Sequence, residues 1–289
     1  MKFMMVAVAA SACSLAVAIS SAQTRKKGAA TPSPSPQRPT PSPTATPMAD
    51  SPKMVLTAPS VAKPRPEYQF PVGQTFVYGG EWRIFNAGVA TLRLEQAGRE
   101  DHVIGTATAT GTVALLFHVL DRYESFFDPA NFCSRNTSRH IEEGLRRVDT
   151  NITFDYQHSK VIFDQKNIRK KESKHEEHEI SNCVTDMLSA IYYVASLPLM
   201  PGGVYNFPLN DGGETITVTV HVEAREKIKT PAGTFDAIRV QPESAKGLLK
   251  NKGRIWIWYS DDAARVPVQA RTRMSWGTLT IMLQRIDKK

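Results

Sequence analysis

The stretch Thr215-Ile216-Thr217-Val218-Thr219-Val220-His221-Val222 decides the fold. Ile or Val at every second position, with Thr and His between, lines up one apolar and one polar row on opposite sides of an extended chain. That is the pattern of a half-buried antiparallel strand. Thr230-Pro231-Ala232-Gly233 supplies the proline and glycine of a turn, and Phe235 to Val240 returns as the partner. Downstream, Arg254-Ile255-Trp256-Ile257-Trp258-Tyr259 ends at Ser260-Asp261-Asp262, and two more strands are predicted from Val266 to Met274 and from Thr278 to Ile286. Upstream, Phe76 to Ile84 leads through Asn86-Ala87-Gly88 into Val89 to Leu94, and His102 to Thr110 follows. Residues 149–156 and 160–164 form a further pair, so about nine to eleven strands are expected.

One amphipathic helix interrupts them over 185–197, with Leu188, Ile191, Tyr192 and Ala195 on one face and Pro198 as its stop. A shorter helix or turn is predicted at Val113 to Val119. Many strands and one well-defined helix predict a mainly β domain, a strongly curved antiparallel sheet or incomplete β-barrel enclosing one main α-helix. Its concave face is where a ligand is expected.

The first 66 residues follow other rules. Lys2, the apolar run Phe3 to Ile19 and the small residues Ser20-Ser21-Ala22 read as a signal peptide over 1–22, cleaved after Ala22. A periplasmic or secreted protein is therefore expected. Ser11, Cys13 and Ser14 interrupt the run, which falls short of the roughly 20 apolar residues of a membrane span. Lipoprotein anchoring at Cys13 is not expected, because Ala10-Ser11-Ala12-Cys13 lacks an aliphatic residue three places before the cysteine. Residues 23–66 hold eleven of the nineteen prolines and no Phe, Tyr, Trp or Cys, so they cannot bury enough apolar surface to offset the entropy of ordering. They read as a disordered, proline-rich tether, and 67–289 as a single β-rich domain.

The chain carries 36 Lys and Arg against 28 Asp and Glu, a net charge of +8, and the leading segment explains it. Eight of those bases and one acid, Asp50, lie in residues 1–66, which leaves 28 bases and 27 acids in the rest. A nucleic-acid partner is excluded on this ground, since such a protein shows its basic excess on the folded surface. Arg25-Lys26-Lys27 in the tail suit contact with anionic lipid or cell wall.

Cys133 and Cys183 are the cysteines left after signal cleavage, and an even number in an exported domain predicts a disulfide. Their separation is not that of a Cys-x-x-Cys redox motif. His175-Glu176-Glu177-His178-Glu179 carries imidazoles at i and i+3, but Lys166 to Glu179 has no apolar periodicity to hold a helix. It reads as a solvated connection, with no metal site. Asp261-Asp262 reads as a turn and Asp186 as a helix N-terminal charge, not as an acid and base pair. No nucleophile elbow, phosphate loop or dinucleotide fingerprint is present, so no catalytic residue and no cofactor are assigned.

Several motifs together resemble the bacterial envelope family called domain of unknown function 3108. They are Asp186, Ser189, Tyr192 and Tyr193 followed by Pro198-Leu199 and Gly202; Thr230-Pro231-Ala232-Gly233-Thr234-Phe235; and Trp256-Ile257-Trp258-Tyr259-Ser260-Asp261-Asp262 with Val266-Pro267-Val268. Gly73-Gln74-Thr75-Phe76-Val77-Tyr78 and Ala87-Gly88 fit the start of the pattern. The resemblance covers roughly Phe70 to Ile286 and implies no established activity. By fold analogy it implies a half-barrel like that of periplasmic lipoprotein carriers, with an apolar cavity for acyl chains.

The residues assigned to that cavity are Tyr78, Trp82, Trp256, Trp258 and Tyr192. Trp256 and Trp258, two apart on one strand, share a side that is expected to be the concave one. The expected function is a non-enzymatic envelope protein holding a lipid, another amphiphile or a partner protein. The alternatives are a scaffolding module in envelope assembly without a small ligand, and a hydrolase acting on envelope material.

Overall fold

The computed structural model of the chain describes residues 59–82, 85–246, 254–274 and 277–288. The predicted signal, Cys13, most of the predicted tether and Trp276 lie outside the described residues. The first eight strands are β1 (Gln74–Trp82), β2 (Phe85–Ala97), β3 (Glu100–Ala109), β4 (Val119–Phe127), β5 (Ser134–Glu143), β6 (Arg146–Asp155), β7 (Lys160–Asn167) and β8 (Glu172–Glu179). The remaining six are β9 (Val204–Leu209), β10 (Ile216–Thr230), β11 (Gly233–Glu243), β12 (Arg254–Ser260), β13 (Pro267–Met274) and β14 (Gly277–Lys288). Two short helices accompany them, α1 (Gly111–Leu116) and α2 (Met187–Ser196).

All fourteen strands form one antiparallel sheet in the order β8-β7-β6-β5-β4-β3-β2-β1-β14-β13-β12-β11-β10-β9. Chain neighbours are sheet neighbours with one exception, and one pair of sheet neighbours is distant in the chain. The first and last strands pair directly, Gln74 facing Lys288 and Trp82 facing Leu279, and β8 and β9 do not pair with each other. The architecture is therefore mainly β and antiparallel as expected, with the main helix and the shorter one both present, and the sheet is open because its edge strands β8 and β9 do not pair.

Four strands, β4, β5, β8 and β9, were not in the sequence expectation, and their side chains explain why. The inward row of β4 reads Val119, Asp121, Tyr123, Ser125, Phe127, and that of β5 includes Thr137, Arg139 and Glu143, all buried. Polar residues on the core side erase the alternation that marks a strand. β8 replaces the solvated connection read over 166–179: it is an edge strand whose charged side chains stay mostly exposed while its backbone pairs with β7. A charged row of this kind also discourages pairing with other chains at the edge. β9, the opposite edge, accommodates Pro208, which a central strand would not.

α2 is fixed at its start by a capping box: Asp186 accepts from the N–H groups of Leu188 (2.7 Å) and Ser189 (3.2 Å), and Ser189 Oγ accepts from the Asp186 N–H at 3.0 Å. The other carboxylate oxygen accepts from Ser125 of β4 and Ser134 of β5, each at 2.5 Å, so the cap also pins the helix to the sheet. Asp186 is thus a buried structural acceptor. The predicted disulfide joins Cys133 and Cys183 just beside this cap, with Cα atoms 5.0 Å apart. Midway along the helix, Tyr259 of β12 donates to the Ile191 carbonyl at 3.0 Å. Leu188, Tyr192, Tyr193 and Ala195 are buried.

Residues 59–73 lie over α2 before the chain enters β1. The Ala62 N–H donates to Tyr193 Oη (3.2 Å) and Arg65 Nε to the Ser196 carbonyl (2.9 Å). Tyr68 and Phe70 meet edge to face, and Phe70 packs on Phe132 at 5.4 Å between ring centres. Residues 59–66, assigned from sequence to the tether, include part of this strap.

Candidate functional site

Tyr259, Ile257 and Ile255 lie on the side of β12 that meets α2, and strand pairing carries that side across the sheet. Ile257 faces Ala270 of β13, Ala270 faces Ile281 of β14, and Tyr78 of β1 faces Ala90 of β2. With Ile191 of α2 above them, these residues enclose an apolar cavity of about 60 Å³. Ala90 and Ala270 are too short to reach the helix, so the space is bounded but not filled.

Tyr78 is the one ionisable side chain of this lining. Its hydroxyl donates to the Pro267 carbonyl at 2.9 Å, and burial pushes its pKa well above the usual phenol value, so it stays neutral. Tyr192 is fully buried one residue along the helix, its pKa likewise raised by burial and then by the neighbouring phenols Tyr78, Tyr68 and Tyr259. The hydroxyls of Tyr192 and Tyr68 have no hydrogen-bond partner among the described residues. The cavity can hold an apolar group, and its wall offers no charged group for general acid or base chemistry at neutral pH.

The other aromatic residues assigned from sequence are elsewhere. Trp256 and Trp258 do share a side of β12, but alternation with Ile257 and Tyr259 makes it the side away from α2. There the Trp258 indole donates to Glu226 at 2.7 Å and lies under the Arg271 guanidinium, 5.5 Å from the ring centre. The concave-side placement of these two is corrected accordingly: an uninterrupted apolar run gives no sign of which row faces inward. Trp82 ends β1 and packs with Ala87, Leu279 and Phe85 beyond the cavity.

Asp261 and Asp262 serve the β12–β13 turn. Asp261 pairs with Arg265 (2.6 Å) and Arg225 (2.8 Å), and Asp262 accepts from Ser260, Ala264 and Arg265. His175 pairs with Asp164 at 2.7 Å beside an open polar hollow of about 420 Å³ on β6–β8. No group of three His, Cys, Asp or Glu suited to a metal occurs among the described residues.

Sequence reasoning missed a second buried feature, on the inward rows of β4 and β5. Arg139 forms a buried ion pair with Asp211, which follows β9. Close by, Asp121 accepts from the Glu142 N–H at 3.1 Å, and Glu143 pairs with Arg146 at 3.1 Å. The available signal was negative: a stretch between two strong strands with too few apolar residues for its own alternation.

The family model described as protein of unknown function, DUF3108, matches residues 77–284. The chain belongs to the DUF3108 family. Among solved structures, this DUF3108 protein is similar to a beta-barrel-like protein of domain of unknown function DUF1849 from Brucella abortus, at 8% identity and a TM-score of 0.56, over 76% of this chain and 99% of that one. That likeness is one of fold. A candidate lipoprotein from Parabacteroides distasonis (11% identity, TM-score 0.34) and a candidate exported protein with a YmcC-like fold from Bacteroides fragilis (10%, 0.34) each match 76% of this chain and 98% of their own. No curated protein matches the sequence.

Proposed function

We propose that this DUF3108 protein is an exported, non-enzymatic envelope protein that holds the apolar part of an amphiphile between α2 and the sheet. The observation that carries the reading is the apolar cavity beside Ile191 and Tyr78, on the helix-facing side of β1, β2 and β12–β14. At about 60 Å³ it is well below the ~300 Å³ of ordinary small-molecule sites. A single chain end fits as it stands, and a longer chain enters by moving the Ile191 and Ile257 side chains.

The matching fold is an incomplete barrel bent around α2. Reach supports it: the ten-residue helix and its cap bond both β4 and β12, six places apart in the sheet, a span of roughly 29 Å if flat. Export is supported by the Cys133–Cys183 disulfide, which suits an oxidising compartment, and by the signal-like leading sequence.

Native mass spectrometry of gently purified protein, with organic extraction of the same sample, tests the function. A bound amphiphile is expected, and Ala270→Leu, which fills the cavity with an apolar side chain, is expected to release it without unfolding the domain. Protein recovered repeatedly without ligand, or an unchanged load in the variant, rejects the reading.

A further inference from the structure

One end of the sheet carries α1, the β5–β6 turn and the β7–β8 turn, and it presents the most exposed leucines of the described residues. α1 buries none of its residues, and Leu115 and Leu116 are 86% and 70% exposed. The ring of Phe117, next in the chain, lies against Gly144, where an added Cβ would come within 3.0 Å of it, and the Gly144 N–H donates to the His118 carbonyl at 2.8 Å. Leu145 follows, 75% exposed. The β7–β8 turn is tied on in the same way: the Ile168 N–H donates to the Arg147 carbonyl at 3.0 Å, and Arg169 reaches the Leu145 carbonyl at 3.4 Å.

Three separate connections thus set Leu115, Leu116, Leu145 and Ile168 side by side, projecting into water. Around them stand Arg146, Arg147, Arg169, Lys170 and Lys171. Of the nearby acids, Glu143 pairs with Arg146, Glu142 with Arg147 and the exposed Asp149 with His140, which leaves Arg169, Lys170 and Lys171 beside the exposed Glu172. Projecting leucines inside a cationic collar match a bilayer interface, where the apolar tips enter the acyl boundary and the cations meet anionic headgroups.

We propose that this end of the domain seats on an anionic lipid bilayer through Leu115, Leu116 and Leu145. The seating is independent of the ligand reading: either can fail while the other stands, because the cavity lies against β12–β14 and the collar on β5–β8.

The test is co-sedimentation of the full chain with phosphatidylcholine vesicles, with and without phosphatidylglycerol, beside Leu115→Glu/Leu116→Glu. Both positions are exposed, so the fold is preserved, and both proteins keep the same basic leading segment. The variant is expected to lose about tenfold or more in partitioning to the anionic vesicles. In a second variant, Leu115→Trp, the added emission is expected to shift to the blue with those vesicles. Equal sedimentation of the two proteins, or an unshifted Leu115→Trp, overturns the proposal. A shift produced by lipid-free envelope protein but not by vesicles also overturns it, in favour of a protein partner.

Discussion

Asp121 is only 1% exposed on the inward row of β4, and burial, reinforced by the negative charge of Glu143, pushes its pKa up to about 7. The Glu142 N–H, Arg146 and His140 pull in the other direction and do not cancel the shift. Between about pH 4 and pH 7 the folded chain therefore keeps a proton that the unfolded chain has released. Stability falls as pH rises through that window and levels off above it. Asp121→Asn keeps an acceptor for the Glu142 N–H and removes the charge. We expect variant and parent to melt together near pH 4, and the variant to gain on the order of 2 kcal/mol by pH 8. Urea melts across that range check this, and a gap that does not widen with pH rejects it. The carboxyl was invisible in the sequence because Asp between Leu120 and Arg122 reads as surface. Only the pairing of β4 with β5 turns it inward.

At the scale of elements, legibility followed the chemistry of the inward row. β10 and β11 were readable because Ile216, Val218, Val220 and Val222 keep one face apolar, and α2 because Asp186 and Ser189 frame its first turn as Leu188 and Tyr192 set its period. β5 was not readable, since Thr137, Arg139 and Glu143 take the places where Val or Ile would announce a strand. The cavity was half legible: Tyr78 was identified, whereas Ala90 and Ala270 matter through atoms they lack, which no motif records. The disulfide was legible from cysteine number and compartment alone. It closes a separation of 50 residues and holds the start of α2 to the start of β5. Replacing both cysteines by serine is expected to lower stability by about 4 kcal/mol, read as a lower urea midpoint, with a steeper slope because the uncrosslinked chain unfolds to a more open state. An unaltered midpoint would show that the Asp186 cap alone holds this junction.

For the whole molecule, the order of strands is a meander that begins and ends in its own middle. The breaks in pairing fall at β8 and β9, on either side of the crossing that contains α2, while β1 and β14 have partners on both edges. Opening is therefore expected from the outside inward. In native-state hydrogen exchange, amides of β8 should exchange first and those of β1 and β14 last, near the global unfolding free energy. Comparable rates in β1 and β8 would contradict opening from the edges inward and show a sheet that opens only as one unit. The pairing of residues near 80 with residues near 280 also demands closure over some two hundred positions, so folding is expected to be slow for the domain's size.

The central position of β1 has a mechanical consequence. The leading segment feeds into a strand clamped by β2 on one edge and β14 on the other, so tension drawn through it loads two ladders in shear rather than peeling a border strand one bond at a time. Under such tension the strap over α2 is expected to yield first and the sheet to hold longest.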